Sequence, residues 1–301
     1  MCAFAVPKIQ LRWQSMDVER YAALERATGV KVIEAGGVCW HQVRPLFYRP
    51  LLPYQQRETV RMTKALRRFG AFQYAVASGE PSNSYLNPIV FEEPGNYDVP
   101  QLRYSVQKHI RKAVRNELVV SRIEDEREFF EFAYPCYLSF YERTKYAFAS
   151  SRTRKDVFLQ WSRDLFRFPE TMILGAFLGK ELISFEIACL VEDTLILKAL
   201  VNSDKALRLG AADLLLHTYR ASVSDEPRIV RIYDSLLGQQ PGINDFYLVR
   251  GARALALPAR LRIPSALLWI LGKTNQELWK KFMGLSEEEL ASSSVSGSSG
   301  E

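Results

Sequence analysis

The sequence is poor in the residues from which metal centres and disulfide frameworks are built. Its 301 residues include three histidines and four cysteines. The cysteines are Cys2, Cys39, Cys136 and Cys189. They lie far apart in the sequence and show none of the paired spacings of a zinc site or a disulfide framework. We therefore expect each cysteine to be a small buried residue, and we expect no metal site.

Long hydrophobic runs are also missing. A membrane-spanning helix needs about 20 apolar residues, whereas the longest compact apolar run covers residues 266–271. Residues 1–7 have no basic segment before their few apolar side chains, so the sequence predicts no secretory signal. These absences favour a cytoplasmic protein. Hydrophobic residues make up 48% of the chain, which is enough for a globular core.

Positive charge is concentrated on two predicted helices. The net charge is +6, and lysine and arginine recur in two segments at the spacing of one helix face. The residues are Arg57, Arg61, Lys64 and Arg68 in one segment, and Lys108, Arg111, Lys112 and Arg115 in the other. Each face is either a solvated amphipathic surface or a surface for an anion such as a nucleotide, a pyrophosphate, an acidic membrane or transfer RNA. Charge alone does not choose among these.

Composition divides the chain into three parts. Residues 78–100 are rich in glycine, proline and asparagine, which indicates a joint between two lobes. We therefore predict a small α/β lobe over residues 1–100 and a second domain over residues 101–285. Serine, glycine and glutamate dominate from residue 286 onward, which predicts a disordered tail over residues 286–301. A helix over residues 264–271 could rest on a membrane or pack on the second domain.

The second domain alternates strand-like and helix-like segments. The predicted strands cover residues 118–123, 172–178, 182–191, 195–201, 229–233 and 253–257, and the predicted helices cover residues 125–143, 155–167, 207–221 and 243–250. Short turns join the second, third and fourth strands, which indicates an antiparallel meander. The resulting order is β-α-α-β-β-β-α-β-α-β.

Two acids in this domain could serve as a base. Glu186 lies in the strand over residues 182–191 and alternates to the face opposite its apolar neighbours. It either lines a cleft or is an isolated buried acid with a raised pKa. Asp234 follows the strand over residues 229–233, where functional groups and ordinary turn residues both occur. We place Glu186 ahead of Asp234, and we interpret His217 as a packing residue.

The start of the predicted helix over residues 207–221 has features of an anion site. A loop with Gly210 and Ala212 that enters a helix exposes N–H groups and the positive end of the helix dipole. Lys205 and Arg208 could add positive charge. The alternative is that Gly210 and Ala212 only allow the helix to pack closely on the sheet.

The order of elements over residues 118–262 resembles that of the GNAT N-acetyltransferase superfamily. In the helix after the fifth strand the family has Asn, then an aromatic residue and Tyr, then Gly and an aromatic residue. Asn244, Phe246, Tyr247 and Gly251 stand at these positions, while Ala252 replaces the last aromatic residue. The resemblance implies an α/β (α+β) fold with a mixed, mainly antiparallel sheet flanked by helices. It also implies that Tyr247 is the general acid.

A second local match is the loop that binds the pyrophosphate of acyl-CoA in the family. The family has Gln or Arg, two residues, Gly, one residue, and Gly or Ala. Gly210 and Ala212 fit, but Leu207 stands at the Gln or Arg position and Arg208 is displaced by one. By this resemblance the donor would be held by the residues Ala199, Leu200, Val201, Lys205, Arg208, Gly210, Ala211, Ala212 and Asn244.

The chain is most similar to the Fem-like branch, which includes acetyltransferase domains of envelope and polysaccharide gene sets. The similarity includes the basic helix over residues 108–115, an aromatic helix ending near residue 144, and an extra N-terminal lobe that could be a degenerate GNAT half. It implies an N-acyltransferase that uses acyl-CoA and acts on an amine of a cytoplasmic sugar or cell-envelope precursor. The alternatives are an aminoacyl-tRNA-dependent transferase and a non-catalytic GNAT-fold binding protein.

Overall fold

The chain forms two units in a computed structural model that describes residues 9–58, 60, 70–92, 94–145, 147–237, 241–264 and 283–296. Within these residues, unit 1 comprises 9–28, 91–233 and 249–251. Unit 2 comprises 29–90, 234–248 and 252–296. Each unit is thus assembled from separate stretches of the chain, whereas the sequence predicts two contiguous domains. One boundary, between Val90 and Phe91, falls in the stretch that the sequence indicates as a joint.

Strands and helices are numbered in chain order over the described residues. The strands are β1 (Ser15–Met16), β2 (Val32–Ala35), β3 (Val38–Arg44), β4 (Phe47–Pro50), β5 (Ala71–Ala75), β6 (Ser84–Leu86), β7 (Pro88–Glu92), β8 (Leu118–Arg122), β9 (Thr171–Leu178), β10 (Glu181–Val191), β11 (Thr194–Asn202), β12 (Arg231–Leu236), β13 (Arg253–Ala254) and β14 (Leu257–Arg262). The α-helices are α1 (Val18–Ala27), α2 (Tyr104–Arg115), α3 (Glu126–Thr144), α4 (Lys155–Phe166), α5 (Asp204–Leu209), α6 (Ala211–Val223), α7 (Pro241–Val249) and α8 (Glu287–Ser296). From β8 to β13 the strands and helices follow the predicted order, except that one predicted helix is divided into α5 and α6.

Unit 1 is built on a mixed sheet. Antiparallel neighbours run from β8 through β9 and β10 to β11, β12 joins β11 in parallel, and β1 pairs in parallel with the end of β10. The β10–β11 register shifts by one residue, because Ile187 pairs with Ala199 whereas Ala188 pairs with Leu197. Lys198 is therefore the extra residue of a β-bulge in β11.

Helices α3 and α6 pack against this sheet through aromatic side chains. The Asp125 carboxylate caps α3 by accepting a hydrogen bond from the Glu128 N–H at 2.8 Å. Phe129 in α3 meets Phe185 of β10 edge to face, with ring centroids 5.3 Å apart. On α6, the Tyr219 hydroxyl donates to the backbone oxygen of Glu186 at 2.9 Å. These contacts hold α3 and α6 against the strand that carries Glu186.

Unit 2 contains a six-stranded sheet and the paired residues of β7 and β13. The sheet has the order β2-β3-β4-β5-β14-β6, and β13 pairs antiparallel with β7. Trp40, Phe72 and Tyr74 form part of its core, and Trp40 meets both other rings nearly edge to face. Buried aromatic side chains stabilise such a core through area and ring geometry.

Three features differ from the sequence predictions. The segment predicted as a disordered tail contains α8, because Ser286 and Glu289 form a capping box with reciprocal bonds of 2.8 and 3.3 Å. The predicted helix over residues 207–221 is two helices that meet at Gly210, whose φ is 79°. β12 continues to Leu236, so Asp234 lies inside the strand. The predicted basic helix with Arg61, Lys64 and Arg68 lies almost wholly outside the described residues. The same is true of the predicted helix over residues 264–271.

Two expectations about buried side chains are confirmed among the described residues. Cys39, Cys136 and Cys189 are buried. His217 is 9% exposed, its Nδ1 lies 2.7 Å from the Tyr97 hydroxyl, and burial lowers its pKa to about 4. In the described part of the chain, no helix has the length and apolarity needed to cross a membrane.

Candidate active site

Three of the predicted site residues meet in unit 2, where β12 leads to α7. Asp234 is the fourth residue of β12, and α7 carries Asn244 and Tyr247. The Asn244 amide donates to the Ser235 hydroxyl at 3.0 Å and to the Leu236 backbone oxygen at 3.5 Å. Asn244 is 2% exposed. Its amide therefore fixes the first turns of α7 to the end of β12.

Asp234 and Tyr247 form a hydrogen-bonded pair at this junction. Tyr247 is 1% exposed, and its hydroxyl donates to the Asp234 carboxylate, as does the Ser235 side chain. Burial raises the pKa of Asp234 to about 7, and these two hydrogen bonds act in the opposite direction. The Oδ2 atom of Asp234 is buried and has no hydrogen-bond partner among the described residues. This carboxylate can therefore take up a proton near neutral pH.

Glu186, the other candidate base, lies in the interior of unit 1. It is 0% exposed, and it pairs across the sheet with Leu174 and Leu200, whose side chains point to the same face. Its apolar neighbour Phe185 points to the opposite face, towards α3. Glu186 is thus a buried acid. A role as base stays a prediction for both acids.

The predicted donor-binding strand residues lie where β11 leaves its neighbour. The parallel β11–β12 register ends at Ile196 and Tyr233, whereas β11 runs on to Asn202. Ala199 and Leu200 are half-buried, and Val201 is buried. A strand that separates from its neighbour has N–H and C=O groups that the sheet no longer pairs on that side. Such backbone groups of β11 would be able to bind a carbonyl or an amide of a donor.

The Lys198 bulge carries a buried ion pair that the sequence does not reveal. The Lys198 ammonium bonds to the Glu25 carboxylate of α1, and the side chains are 12% and 8% exposed. The ammonium also lies 5.4 Å from the centroid of the Tyr21 ring. The partners are 173 residues apart in sequence, so no local pattern indicates the pair.

Gly210 has a packing reason to be glycine. Its φ of 79° is left-handed, and a Cβ atom there would lie 2.6 Å from the His109 backbone oxygen of α2. Ala211 is 0% exposed and Ala212 is 5% exposed, so the N–H groups that open α6 are covered. Leu207 is 50% exposed. Anion binding at this loop stays a prediction, and the geometry agrees with the packing alternative.

Charges around the same loop already have partners. Lys205 is paired with Glu181, while Arg208 is exposed. Asp213 in the first turn of α6 is 5% exposed and accepts from Arg250 at 2.7 Å. His109 Nδ1 lies 3.2 Å from the other oxygen of this carboxylate. An acid paired in this way satisfies the positive end of the helix dipole without a ligand.

Arg220 forms a further polar contact that sequence reasoning missed. Its guanidinium lies 4.2 Å from the centroid of Phe91 and 4.0 Å from that of Tyr97. It donates to the Arg250 backbone oxygen at 2.7 Å. Burial lowers the pKa of Arg220 to about 10. Contacts between residues this distant in sequence are not signalled by spacing or motif.

Comparison with solved structures shows the fold of the chain. FemX superposes with a TM-score of 0.54 at 8% identity, covering 84% of this chain and 93% of FemX. L-PGS from Bacillus licheniformis gives 0.50 at 10%, covering 86% and 91%. A conserved protein from Bacteroides thetaiotaomicron VPI-5482 gives 0.51 at 8%, covering 84% and 93%. No protein-family model matches the chain, and no curated protein matches its sequence. At these identities the likeness concerns the fold alone, and the expected α+β fold, similar to that of FemX, is confirmed.

Proposed function

We propose that this chain is an acyltransferase that moves an acyl group from an activated donor onto an amine, with Asp234 and Tyr247 as its proton-transfer pair. The observation that carries the proposal is the buried carboxylate with a pKa of about 7, one oxygen without a hydrogen-bond partner among the described residues, and a bond from Tyr247. Perturbed acids of this kind are concentrated at functional sites.

The pair supplies both proton transfers that amide formation needs. Asp234 Oδ2 accepts a proton from the amine as its nitrogen forms a bond to the acyl carbon. The bond between the acyl carbon and the leaving sulfur or oxygen then breaks, and the Tyr247 hydroxyl gives that atom its proton. Asp234 returns its proton to Tyr247 through their hydrogen bond, which restores the starting state. General acid–base catalysis of this type contributes about 10²–10⁴-fold in rate.

This assignment places Asp234 ahead of Glu186, which reverses the order expected from the sequence. Glu186 lies wholly in the interior of unit 1. Asp234 has a pKa near the working range of a base and a hydrogen bond to the acid.

Acyl-CoA is the first donor proposed, with an amine of a cytoplasmic sugar or cell-envelope precursor as acceptor. A specific observation favours aminoacyl-tRNA as the second candidate. The N–H groups of Ala211 and Ala212 are covered, and Leu207 stands where a cation would meet a pyrophosphate. Fold alone does not decide the donor.

The donor is tested by adding the missing cation. Leu207→Arg places a guanidinium at the family position, and the matched control is Val230→Arg, because Val230 is 49% exposed in the same unit. Calorimetry should show acetyl-CoA binding that Leu207→Arg strengthens by about tenfold, as expected for one charge-assisted contact, and that Val230→Arg leaves unchanged. If acetyl-CoA binds to none of the three proteins while aminoacyl-tRNA binds, the second donor replaces the first.

The chemistry is tested with whichever donor binds and a panel of free and nucleotide-linked amino sugars. Asp234→Asn and Tyr247→Phe should each lower kcat by about 100-fold or more. Asp245→Asn removes an exposed carboxylate from the same helix and serves as the control. Unchanged turnover in both site variants would overturn the proton-transfer pair. A folded protein that binds neither donor and transfers nothing would instead indicate the non-catalytic alternative.

A further inference from the structure

We propose that the outer face of α2 is an RNA-binding surface that contacts the phosphate backbone and stacks one unpaired base. The surface is formed by Tyr104, Lys108, Arg111, Lys112 and Arg115, and is called the α2 face below. It is independent of which donor the transferase uses, since the contacts described here involve only unit 1.

The α2 face lies directly opposite the buried side of its helix. Val106, Ile110 and Ala113 are buried, and α2 packs through this side against α6. At 100° per residue, the five residues of the α2 face fall within an arc of about 100° centred opposite these three. The helix contains four lysine or arginine residues and no aspartate or glutamate. Lys108, Lys112 and Arg115 are exposed, and Tyr104 is 72% exposed.

No carboxylate of the described residues forms an ion pair with the cations of the α2 face. Among the described residues, Arg111 bonds to the Gln107 side chain and Arg115 to the Arg111 backbone, and neither forms an ion pair. Three exposed arginines elsewhere in unit 1 do have acidic partners. Arg154 bonds to Asp156, Arg163 to Glu126 and Arg167 to Asp164. Four neighbouring positive charges without acids repel one another unless a polyanion is bound, because like charges on adjacent turns are destabilising.

Two observations favour RNA over a membrane surface. An amphipathic helix that binds a membrane inserts its apolar side, and the apolar side of α2 is already covered by unit 1. Tyr104 is the only aromatic residue on the α2 face. An exposed ring beside cations fits a nucleobase, which stacks on it while its phosphates meet lysine and arginine. We therefore assign the α2 face to RNA, and we make anionic lipid an outcome of the test.

The test measures binding of a fluorescein-labelled RNA stem–loop with a single-stranded tail by anisotropy at several salt concentrations. Four phosphate contacts predict a slope of log K against log salt of about −3, since each contact on a single strand contributes about −0.7. K108Q/K112Q/R115Q should reduce the slope to about −1 and weaken binding by more than about 100-fold at low salt. R154Q/R163Q/R167Q removes the same number of charges and should leave the affinity within about threefold, because those arginines are already paired with acids.

The ring is tested separately. Y104A should weaken binding to the tailed RNA by about fivefold or more, Y104F should retain binding, and a blunt duplex should not distinguish the three proteins. Equal loss in the α2 and control triple variants would overturn the surface, as would a slope near zero in the wild type. Co-sedimentation with phosphatidylglycerol vesicles that depends on the α2 face, without RNA binding, would assign the surface to lipid instead. All outcomes are read from binding alone, so a failure of acyl transfer leaves this result interpretable.

Discussion

Replacement of Asp234 by Asn should stabilise the folded chain at neutral and alkaline pH while it lowers kcat by about 100-fold or more. The folded state holds the Asp234 proton up to a pH of about 7, whereas the unfolded chain releases it near the ordinary value of 3.8. The bound proton therefore contributes stability that is complete below a pH of about 4 and is lost as the pH rises through about 7. Above that pH the wild type carries a buried charge that Asp234→Asn does not have.

The magnitude follows from the two pKa values. A difference between 3.8 and about 7 corresponds to about 4 kcal/mol at most. The hydrogen bonds from Tyr247 and Ser235 also reach an amide oxygen, so we expect about 2–4 kcal/mol. The free energy of unfolding of Asp234→Asn minus that of the wild type should rise by about 1.4 kcal/mol per pH unit between about pH 4 and 7.

Urea unfolding followed by tryptophan fluorescence measures this difference, and Trp40 in the core of unit 2 is a reporter for the unit that contains Asp234. Asp245→Asn is the control, because Asp245 is exposed on α7. A difference that stays flat from about pH 5 to about pH 8 would refute the reasoning, since burial would then not retain the proton. It would also remove the argument that Asp234 is a base near neutral pH.

Three further predictions test the neighbouring features. Tyr247→Phe should shift the acidic limb of the pH–rate profile to higher pH, because the hydrogen bond from Tyr247 lowers the pKa of Asp234. An unshifted limb would show that this hydrogen bond does not act on the group that titrates. Gly210→Ala should lower the free energy of unfolding by about 1–3 kcal/mol, because φ is left-handed and the added Cβ meets backbone, and thermal melting would show it. Lys198→Met should cost about 3–5 kcal/mol by leaving Glu25 buried without its cation. Adding Glu25→Gln to Lys198→Met should recover most of that loss. If it does not, the double-mutant cycle would show that Lys198 and Glu25 are not energetically coupled.

Those parts of the fold that depend on local pattern were predictable. Asp125 caps α3, and the apolar residues at helical spacing, such as Phe129 and Cys136, are buried as expected. The turns that separate β9, β10 and β11 are short, so neighbours in sequence are neighbours in the sheet. The order of elements from β8 to β13 could therefore be read from periodicity, apart from the division of one helix into α5 and α6.

The remaining features depend on contacts between distant residues or on competing local signals. Asp213 is bonded to Arg250 and near His109, and no spacing in the sequence indicates that three such residues meet. α8 shows the other case: Ser286 and Glu289 form a capping box, but the low apolar content of the segment outweighed that local signal in the prediction.

Some contacts among the candidate site residues could be expected from the sequence. Tyr247 and Asn244 were identified from a motif, and the structure brings both to the residues around Asp234. The relative weight of Asp234 and Glu186 could not be judged from the sequence, because it depends on burial and on hydrogen bonds. A strand pattern shows which face a residue points to, and it does not show whether that face meets solvent.

The hydrogen bond between Asp234 and Tyr247 joins residues only 13 positions apart (247 − 234). Contacts of such short range close small loops and depend little on the topology of the rest of the chain. The pair can therefore form as soon as β12 and α7 are in place, and a change in chain order elsewhere should leave it intact. A circular permutant with new termini in the exposed turn at Gly179 would therefore keep β12, α7 and the hydrogen bond between Asp234 and Tyr247.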